Sequence, residues 1–172
     1  MPLLRGRRDD GGTKYRMREK LFSIGDDFWI ENEEGERAFK VDGKALRIRQ
    51  TFVLEDPSGA ELFSIQEKKL SVRDKMEIER DGHTVATVKK ALVSPLRDRF
   101  SIDVEGGEDL EAHGNVVDHE YKIERSGDQV AEVSKRWFRV ADTYGVEVAP
   151  DQDPALILAV TAVLDSTSHP AR

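Results

Sequence analysis

The sequence contains no cysteine, which excludes disulfide bonds, thiolate catalysis and zinc sites with sulfur ligands. Its first ten residues contain no apolar segment of the length that a signal peptide needs. We therefore expect a cytoplasmic protein. A chain of 172 residues can bury a sufficient core as one domain, so the fold needs no disulfide or metal.

Positive charge is in deficit, with 27 basic against 34 acidic residues and a net charge of −7. This balance favours solubility and disfavours general attraction to nucleic acid, which we do not expect as a partner. One basic cluster lies near the N-terminus, and we interpret it as a solvated tail. Its members are Arg5, Arg7, Arg8, Lys14, Arg16, Arg18 and Lys20.

Glycine recurs at a nearly constant interval along the chain. The spacings are 24, 23, 24 and 21 residues between Gly35, Gly59, Gly82, Gly106 and Gly127. An internal repeat of this length suits one β-hairpin per unit. The segments around these glycines are rich in Asp, Asn, Ser and Pro, which are typical of hairpin turns.

Pairs of apolar residues two positions apart flank each glycine, which is the period of a strand with one buried face. The upstream pairs are Phe28 and Ile30, Phe52 and Leu54, Met76 and Ile78, Phe100 and Ile102, Tyr121 and Ile123. The downstream pairs are Phe39 and Val41, Phe63 and Ile65, Ala86 and Val88, Leu110 and Ala112, Ala131 and Val133. Two further strands, over 20–24 and around 138–148, bring the predicted number to about twelve.

Consecutive antiparallel strands with short links tend to close into a barrel, which leaves no exposed edge. The sequence thus predicts a mainly β fold, a closed antiparallel barrel of about twelve strands. Side chains alone fill a barrel of about eight strands, so a wider one needs an additional occupant. The candidate occupant is the apolar segment 154–164.

Residues 154–164 are apolar on every side except at Thr161, which indicates a buried helix. Asp153 is suited to the N-cap and Pro154 to the first helical position. A helix of this length spans about 16 Å, too little to cross a bilayer. Periodicity alone leaves a central strand as the alternative.

Several stretches of the chain resemble the LURP-one-related family, whose relatives are Tubby C-terminal domains and phospholipid scramblases. They are Tyr15-Arg16-Met17-Arg18-Glu19-Lys20, Gly25-Asp26-Asp27-Phe28-Trp29-Ile30, Val41-Asp42-Gly43-Lys44-Ala45, Asp118-His119-Glu120-Tyr121, Ser134-Lys135-Arg136-Trp137-Phe138 and Asp142-Thr143-Tyr144-Gly145-Val146-Glu147-Val148.

The resemblance covers residues 14–165, which we take as a single domain between a flexible tail, 1–13, and a C-terminal tail, 166–172. It implies a Tubby-like barrel of twelve strands threaded by a central helix. It implies neither an established enzymatic activity nor a cofactor. Tubby domains bind phosphoinositide head groups through lysine and arginine, but no motif here allows those residues to be transferred by position.

Basic dyads follow the second strand of several hairpins, and a common rim would bring them together as a phosphate-binding collar. The proposed ligand-binding residues are Lys68, Lys69, Lys89, Lys90, Lys135 and Arg136, with Arg97, Arg99 and Arg139 as additions. The alternative interpretation is that lysine at strand ends promotes solubility and prevents mispairing.

Histidine and carboxylate residues suggest one metal site, formed by His113, His119, Asp118 and Glu120. On a strand, however, Asp118 and Glu120 point away from the side that His119 occupies. We therefore expect no metal.

No nucleophile elbow, dinucleotide-binding loop or Walker loop occurs in the sequence, and we assign no catalytic residue. Base stacking by Trp29, Trp137, Phe138 or Tyr144 is disfavoured by the acidic balance. Because Trp137 and Phe138 are adjacent, we expect one to face the core and the other the surface.

Two functional classes remain, and a hydrolase is a remote third. The first is a non-enzymatic module that binds a phosphorylated ligand or an anionic phospholipid head group at a local basic surface, with reversible peripheral membrane contact. The second is a structural or protein-interaction barrel without a small ligand.

Overall fold

The structure is a computed structural model that describes residues 12–19, 26–45, 51–66, 75–93 and 98–168. Within these ranges it contains twelve strands and the C-terminal helix α1 (Pro154–Ser168). The strands are β1 (Thr13–Arg18), β2 (Phe28–Asn32), β3 (Arg37–Val41), β4 (Thr51–Glu55), β5 (Glu61–Gln66), β6 (Lys75–Arg80), β7 (His83–Val93), β8 (Asp98–Val104), β9 (Leu110–Asn115), β10 (Glu120–Arg125), β11 (Asp128–Ser134) and β12 (Thr143–Val148).

The strands form a closed barrel in which each strand pairs with its neighbours in sequence. Strand β1 closes the barrel because it pairs antiparallel with both β2 and β12. The predicted mainly β fold, a twelve-stranded antiparallel barrel, is confirmed.

Strand β1 lies in the basic N-terminal segment that the sequence analysis interprets as a solvated tail. Tyr15 and Met17 are buried in the core, while Lys14 and Arg16 alternate with them and pair with Glu147 at 3.9 Å and Glu31 at 2.8 Å. The prediction of a solvated tail is therefore wrong for the cations of β1. The strand predicted over 20–24 lies outside the described residues.

The apolar pairs around the glycines are the core of the barrel, as predicted. All are buried except Phe28 and Phe39, which are half-buried and pack against the core. Four hairpins also shift register at the same place, where an inward aliphatic residue precedes glutamate: Ile30/Glu31, Leu54/Glu55, Ile78/Glu79 and Ile123/Glu124. Such bulges increase strand twist, which helps a sheet to curve and close.

The two ends of the barrel differ in their connections. At the turn end lie the five glycine-containing hairpin turns, within 33–36, 56–60, 81–82, 105–109 and 126–127, together with the entry to α1, 149–153. At the loop end, the remaining strand pairs are joined by 19–27, 42–50, 67–74, 94–97, 116–119 and 135–142.

Helix α1 starts at the turn end and occupies the interior. Asp153 caps it, as predicted: its Oδ1 accepts a hydrogen bond from the backbone N–H of Ala155 at 3.0 Å. Residues 157–164 of the helix are almost entirely buried. Among the described residues, no helix is long and apolar enough to cross a membrane.

The helix continues to Ser168, beyond the predicted end at 164. Hydroxyl groups sustain its polar last turn: Ser166 and Thr167 both donate to the carbonyl of Val163, at 2.8 and 2.9 Å. This back-bonding satisfies the hydroxyls within the helix, so polar residues can extend an apolar helix to the loop end.

Ala159 is fully buried inside the barrel, and we predict that Ala159→Asp unfolds the domain. An unpaired buried charge costs more than about 4 kcal/mol, a large part of the stability of a typical domain. The measurement is thermal denaturation followed by circular dichroism. Ala60→Asp, at an exposed position of the turn end, is the matched control, and equal melting of the two variants would refute the internal helix.

Candidate functional site

The described members of the predicted phosphate-binding dyads do not lie together. Lys68 and Lys69 lie outside the described residues. Lys89 and Lys90 belong to β7, and the last dyad follows β11. Strands β8, β9 and β10 lie between these two described dyads, which separates them by about 19 Å along the wall at about 4.8 Å per strand.

Lys89 is paired within the barrel wall. Its Nζ lies 2.7 Å from Oδ2 of Asp103 on β8, and this hydrogen bond raises the pKa of the lysine. Of the additional cations, Arg99 pairs with Glu111 at 3.2 Å, and Arg97 lies outside the described residues. The remaining candidates, Lys135, Arg136 and Arg139, lie together in residues 135–142, which we call the rim loop.

Glu120, at the start of β10, anchors the first part of the rim loop. Its Oε1 accepts hydrogen bonds from the hydroxyl of Ser134 at 3.0 Å and from the backbone N–H of Lys135 at 3.1 Å. Its Oε2 lies 3.7 Å from the guanidinium of Arg136. The hydroxyl of Ser134 also accepts a hydrogen bond from the backbone N–H of Arg136 at 3.1 Å. Glu120 and Ser134 therefore fix the backbone of Lys135 and Arg136, which precede the aromatic residues.

Trp137 and Phe138 anchor the middle of the rim loop by packing on Gly145 at the outer face of β12. A Cβ at Gly145 would lie 2.7 Å from a ring carbon of Trp137 and 3.1 Å from one of Phe138, so a larger residue would displace them. Nζ of Lys14 lies 5.1 Å from the centre of the Trp137 ring. The expectation that one of these aromatic residues faces the core is wrong, because the segment is a loop and strand alternation does not apply.

The last part of the rim loop is fixed by two further hydrogen bonds. The hydroxyl of Thr143 donates to the carbonyl of Val140 at 2.7 Å, and the backbone N–H of Glu19 donates to the carbonyl of Asp142 at 2.8 Å. The exposed residues of the rim loop are Lys135, Arg136, Arg139, Val140, Ala141 and Asp142, and the Arg136 side chain is 77% accessible. Within the described ranges, Arg139 has no carboxylate at ion-pair distance.

Behind the rim loop, a buried contact between His119 and Asp165 holds the end of the central helix. Nε2 of His119 lies 2.7 Å from Oδ1 of Asp165, and both side chains are 1% exposed. His119 belongs to the turn between β9 and β10 and has a φ of 55°. Asn115 and Asp118 stabilise this turn through a side-chain hydrogen bond of 2.8 Å. The left-handed conformation, which histidine tolerates better than most residues, accompanies the inward position of the ring.

Glu19 connects this buried pair to the rim loop. Its Oε1 lies 2.6 Å from Nζ of Lys135 and 3.9 Å from Nδ1 of His119. The hydrogen bond to Glu19 raises the pKa of Lys135, against the opposing effect of burial. A string of polar groups, Lys135–Glu19–His119–Asp165, therefore runs from the surface loop to the interior helix.

Two tyrosines enclose the buried end of this string. The ring of Tyr144 stacks on that of His119 with centroids 4.2 Å apart. Burial, and then the negative charge of Asp165, raise the pKa of Tyr144 and of Tyr121. The nearby Thr161 opposes this rise in the pKa of Tyr121, although the Tyr121 hydroxyl has no hydrogen-bond partner among the described residues. The string thus ends in a largely apolar environment.

The histidines do not form the metal site that their spacing suggested. His113 pairs with Glu124 at 3.0 Å, whereas His119 pairs with Asp165 inside the barrel. Asp118 is held by Asn115, and Glu120 is held by the rim loop. Each candidate ligand thus has a separate partner.

The buried pair was missed at the level of sequence. Asp165 directly follows the apolar segment, and His119 lies 46 residues away. A single carboxylate at the end of a buried helix was the available signal, because a buried charge requires a partner. Nothing local identifies that partner, since the barrel closure brings the two residues together.

We predict that His119→Leu destabilises the protein by about 3–5 kcal/mol, because it leaves the carboxylate of Asp165 buried without its imidazole. The double variant His119→Leu/Asp165→Leu recovers a large part of this loss, since it removes the charge as well. Urea denaturation measures both values. His113→Leu, which breaks a half-exposed pair, is the control with an expected loss below about 1 kcal/mol, and an equal loss in the two single variants would contradict the buried pair.

Alkaline titration tests the burial of the tyrosines. All 3 tyrosines have a raised pKa. The folded protein therefore retains protons that the unfolded chain releases at about pH 10. The stabilisation is complete below that pH and is lost as the pH rises through the folded pKa values. We expect tyrosinate absorbance to increase together with unfolding by circular dichroism. Ionisation near the ordinary pKa with the fold intact would contradict the prediction.

Comparison with known proteins gives consistent matches over nearly the whole chain. The family model described as LURP-one-related matches residues 13–165. The uncharacterized protein YxjI of Bacillus subtilis (strain 168) is 30% identical over 149 residues, which are 87% of this chain and 90% of YxjI. The X-ray structure of a protein from Arabidopsis thaliana has a TM-score of 0.66 at 18% identity and covers 91% of each chain. The structural likeness concerns the fold.

Proposed function

The chain belongs to the LURP-one-related family, and we propose that it is a non-enzymatic binding module for phosphate groups, carried by a phospholipid head group or by a soluble ligand. The proposed site is the rim loop, with Arg136 and Arg139 as the phosphate contacts and Lys135 beside them. We place the protein in the cytoplasm, where it would reach a membrane reversibly.

The observation that carries this proposal is the pair of exposed arginines on an anchored loop. The loop is held at Glu120, Gly145 and Thr143, so little conformational entropy is lost when it binds a ligand. The guanidinium group offers several donors in a fixed plane, which suits the oxygen atoms of a phosphate.

The filled interior supports a site on the surface. In the part of the chain that the structure describes, the apolar side chains of α1 pack against the inward residues of the strands. A ligand inside the barrel would have to displace this core. The rim loop, by contrast, is available without any rearrangement of the fold.

The lack of lysine and arginine in the turns of the turn end also supports the loop end. None of the turns at the turn end contains a lysine or an arginine, whereas all but 126–127 contain aspartate or glutamate. Arg80 and Arg125, at adjoining strand ends, pair with Asp153 and with Glu108 and Asp151. The described connections of the loop end, by contrast, contain Lys44, Lys135, Arg136 and Arg139.

The role of the other dyads in this proposal is smaller. Lys89 already has a carboxylate partner, and no contact of the Lys68, Lys69 or Lys90 side chain supports the proposal. In the proposal these lysines act only through their positive charge, since three strands separate β7 from β11.

The test compares Arg136→Gln/Arg139→Gln with Arg37→Gln/Lys122→Gln, a control with the same change of charge at exposed positions outside the loop end. Calorimetry with inositol hexakisphosphate measures binding of soluble phosphate, and co-sedimentation with phosphatidylserine vesicles measures binding of the lipid. We expect the rim-loop variant to bind at least about tenfold more weakly, because each charged hydrogen bond contributes about 1.5–3 kcal/mol. The control should bind like the wild type.

Binding to only one of the two probes identifies the source of the phosphate. Equal affinity of the two double variants would overturn the assignment to the rim loop. Failure of the wild type to bind either probe, at low as well as high salt, would overturn phosphate binding and favour the structural or protein-interaction barrel.

A further inference from the structure

The exposed large hydrophobic residues lie at the loop end. Among the described residues they are Val117 and Val140, with 49% and 48% of their surface accessible. Val117 belongs to the turn between β9 and β10, and Val140 to the rim loop. The two segments adjoin β10 and β11, which are neighbours in the barrel, and Glu120 connects them through its bonds to Ser134 and Lys135.

The charges around these valines differ in availability. Arg139 precedes Val140 and has no carboxylate at ion-pair distance within the described ranges. Arg136 pairs with Glu120, but its side chain is 77% accessible. Asp118, which follows Val117, is engaged by Asn115. The result is an apolar tip beside two exposed arginines, of which Arg136 also contacts Glu120.

We propose that the loop end docks on an anionic lipid bilayer, with Val117 and Val140 entering the head-group region and Arg136 and Arg139 contacting lipid phosphates. This inference rests on the proposed function and adds the partner, the inserted residues and the orientation. The turn end, with its carboxylates and no lysine or arginine in its turns, faces away from the membrane because the anionic surface repels it.

The apolar contribution distinguishes a bilayer from a soluble phosphate. A soluble phosphate leaves both valines in water, whereas the membrane interface removes their apolar surface from water. Each inserted valine should increase partitioning about three- to fivefold, and each arginine about fivefold on an anionic surface. Contributions of this size give binding that is reversible and sensitive to salt.

The anchored loops favour insertion without unfolding. The rim loop is fixed by Glu120, by the aromatic contacts with Gly145 and by Thr143. The turn at 116–119 is fixed by Asn115 and by the hydrogen bond from the backbone N–H of His119 to the carbonyl of Val116 at 3.1 Å. Both valines are therefore presented by rigid segments.

The absence of cysteine from the chain allows a direct test by single labelling. Val117→Cys and Val140→Cys report on the loop end, and Ala60→Cys, exposed at the turn end, is the matched control. Each variant carries a polarity-sensitive fluorophore and is mixed with vesicles of phosphatidylcholine, with or without phosphatidylserine. We expect a blue shift, and quenching by quencher-labelled lipid, at 117 and 140 only, and only with phosphatidylserine.

A second variant separates insertion from phosphate recognition. Val117→Ser/Val140→Ser, substituted at exposed positions, should melt like the wild type and retain its affinity for inositol hexakisphosphate. Its co-sedimentation with phosphatidylserine vesicles should weaken about tenfold.

The possible failures are distinguishable. If the wild type sediments but the labels at 117 and 140 remain in water, insertion is refuted and phosphate binding stands. If inositol hexakisphosphate binds but vesicles do not, the bilayer is refuted as the partner. A blue shift at residue 60 would refute the orientation. If neither probe binds, the proposed function fails and this inference fails with it.

Discussion

The packing of α1 inside the barrel is the constraint on which the rest of the structure depends. Twelve strands enclose more space than their own inward side chains fill, and the helix supplies the missing apolar volume. Its almost completely buried surface explains why the strands carry large and small inward residues, such as Phe63 and Ala86, at equivalent places in the repeat. Without the helix, the inward side chains of the strands would not fill the interior, and the closed barrel would lose its core packing.

Placing the helix inside also determines the chemistry of the loop end. A helix that crosses the interior must bring its polar last turn to the far end, where Asp165 remains buried and requires a partner. His119 meets that requirement, and Glu19 and Lys135 continue the polar string to the surface. The rim loop is therefore attached to the barrel interior through Lys135 and Glu19, and to the outer face of β12 through Trp137 and Phe138. The proposed binding surface is in this way connected to the same helix that fills the barrel.

Sequence patterns predicted those parts of the fold that depend on local order. The glycine spacing, the inward pairs and the cap at Asp153 are all periodic or adjacent features, and each is confirmed. The features that were missed depend on residues distant in the chain. Tyr15 and Met17 form a strand because β12 is available to pair with them, and His119 faces inward because Asp165 arrives from the helix.

The candidate site was predicted in part for the same reason. Lys135, Arg136 and Arg139 were identified by their charge, but charge alone did not distinguish them from Lys89, which Asp103 neutralises. Likewise, Trp137 and Phe138 were expected to alternate because no local signal showed that the chain leaves the strand at Ser134. The glycine that receives them, Gly145, belongs to the following strand, and its role became apparent only from its contacts.

The pairing of β1 with β12 has a consequence for the synthesis of the protein. Strand β12, whose pairing with β1 closes the barrel, and the helix that fills it are made after all the other described elements, so until then the nascent chain holds unpaired strands and an incomplete core. Folding is then completed only after α1 has been synthesised and depends on contacts between residues that are far apart in the chain, which slows it. During that interval the inward faces of the hairpins are exposed to solvent, and a chaperone that shields them would have its greatest effect on this protein before the last strand emerges from the ribosome.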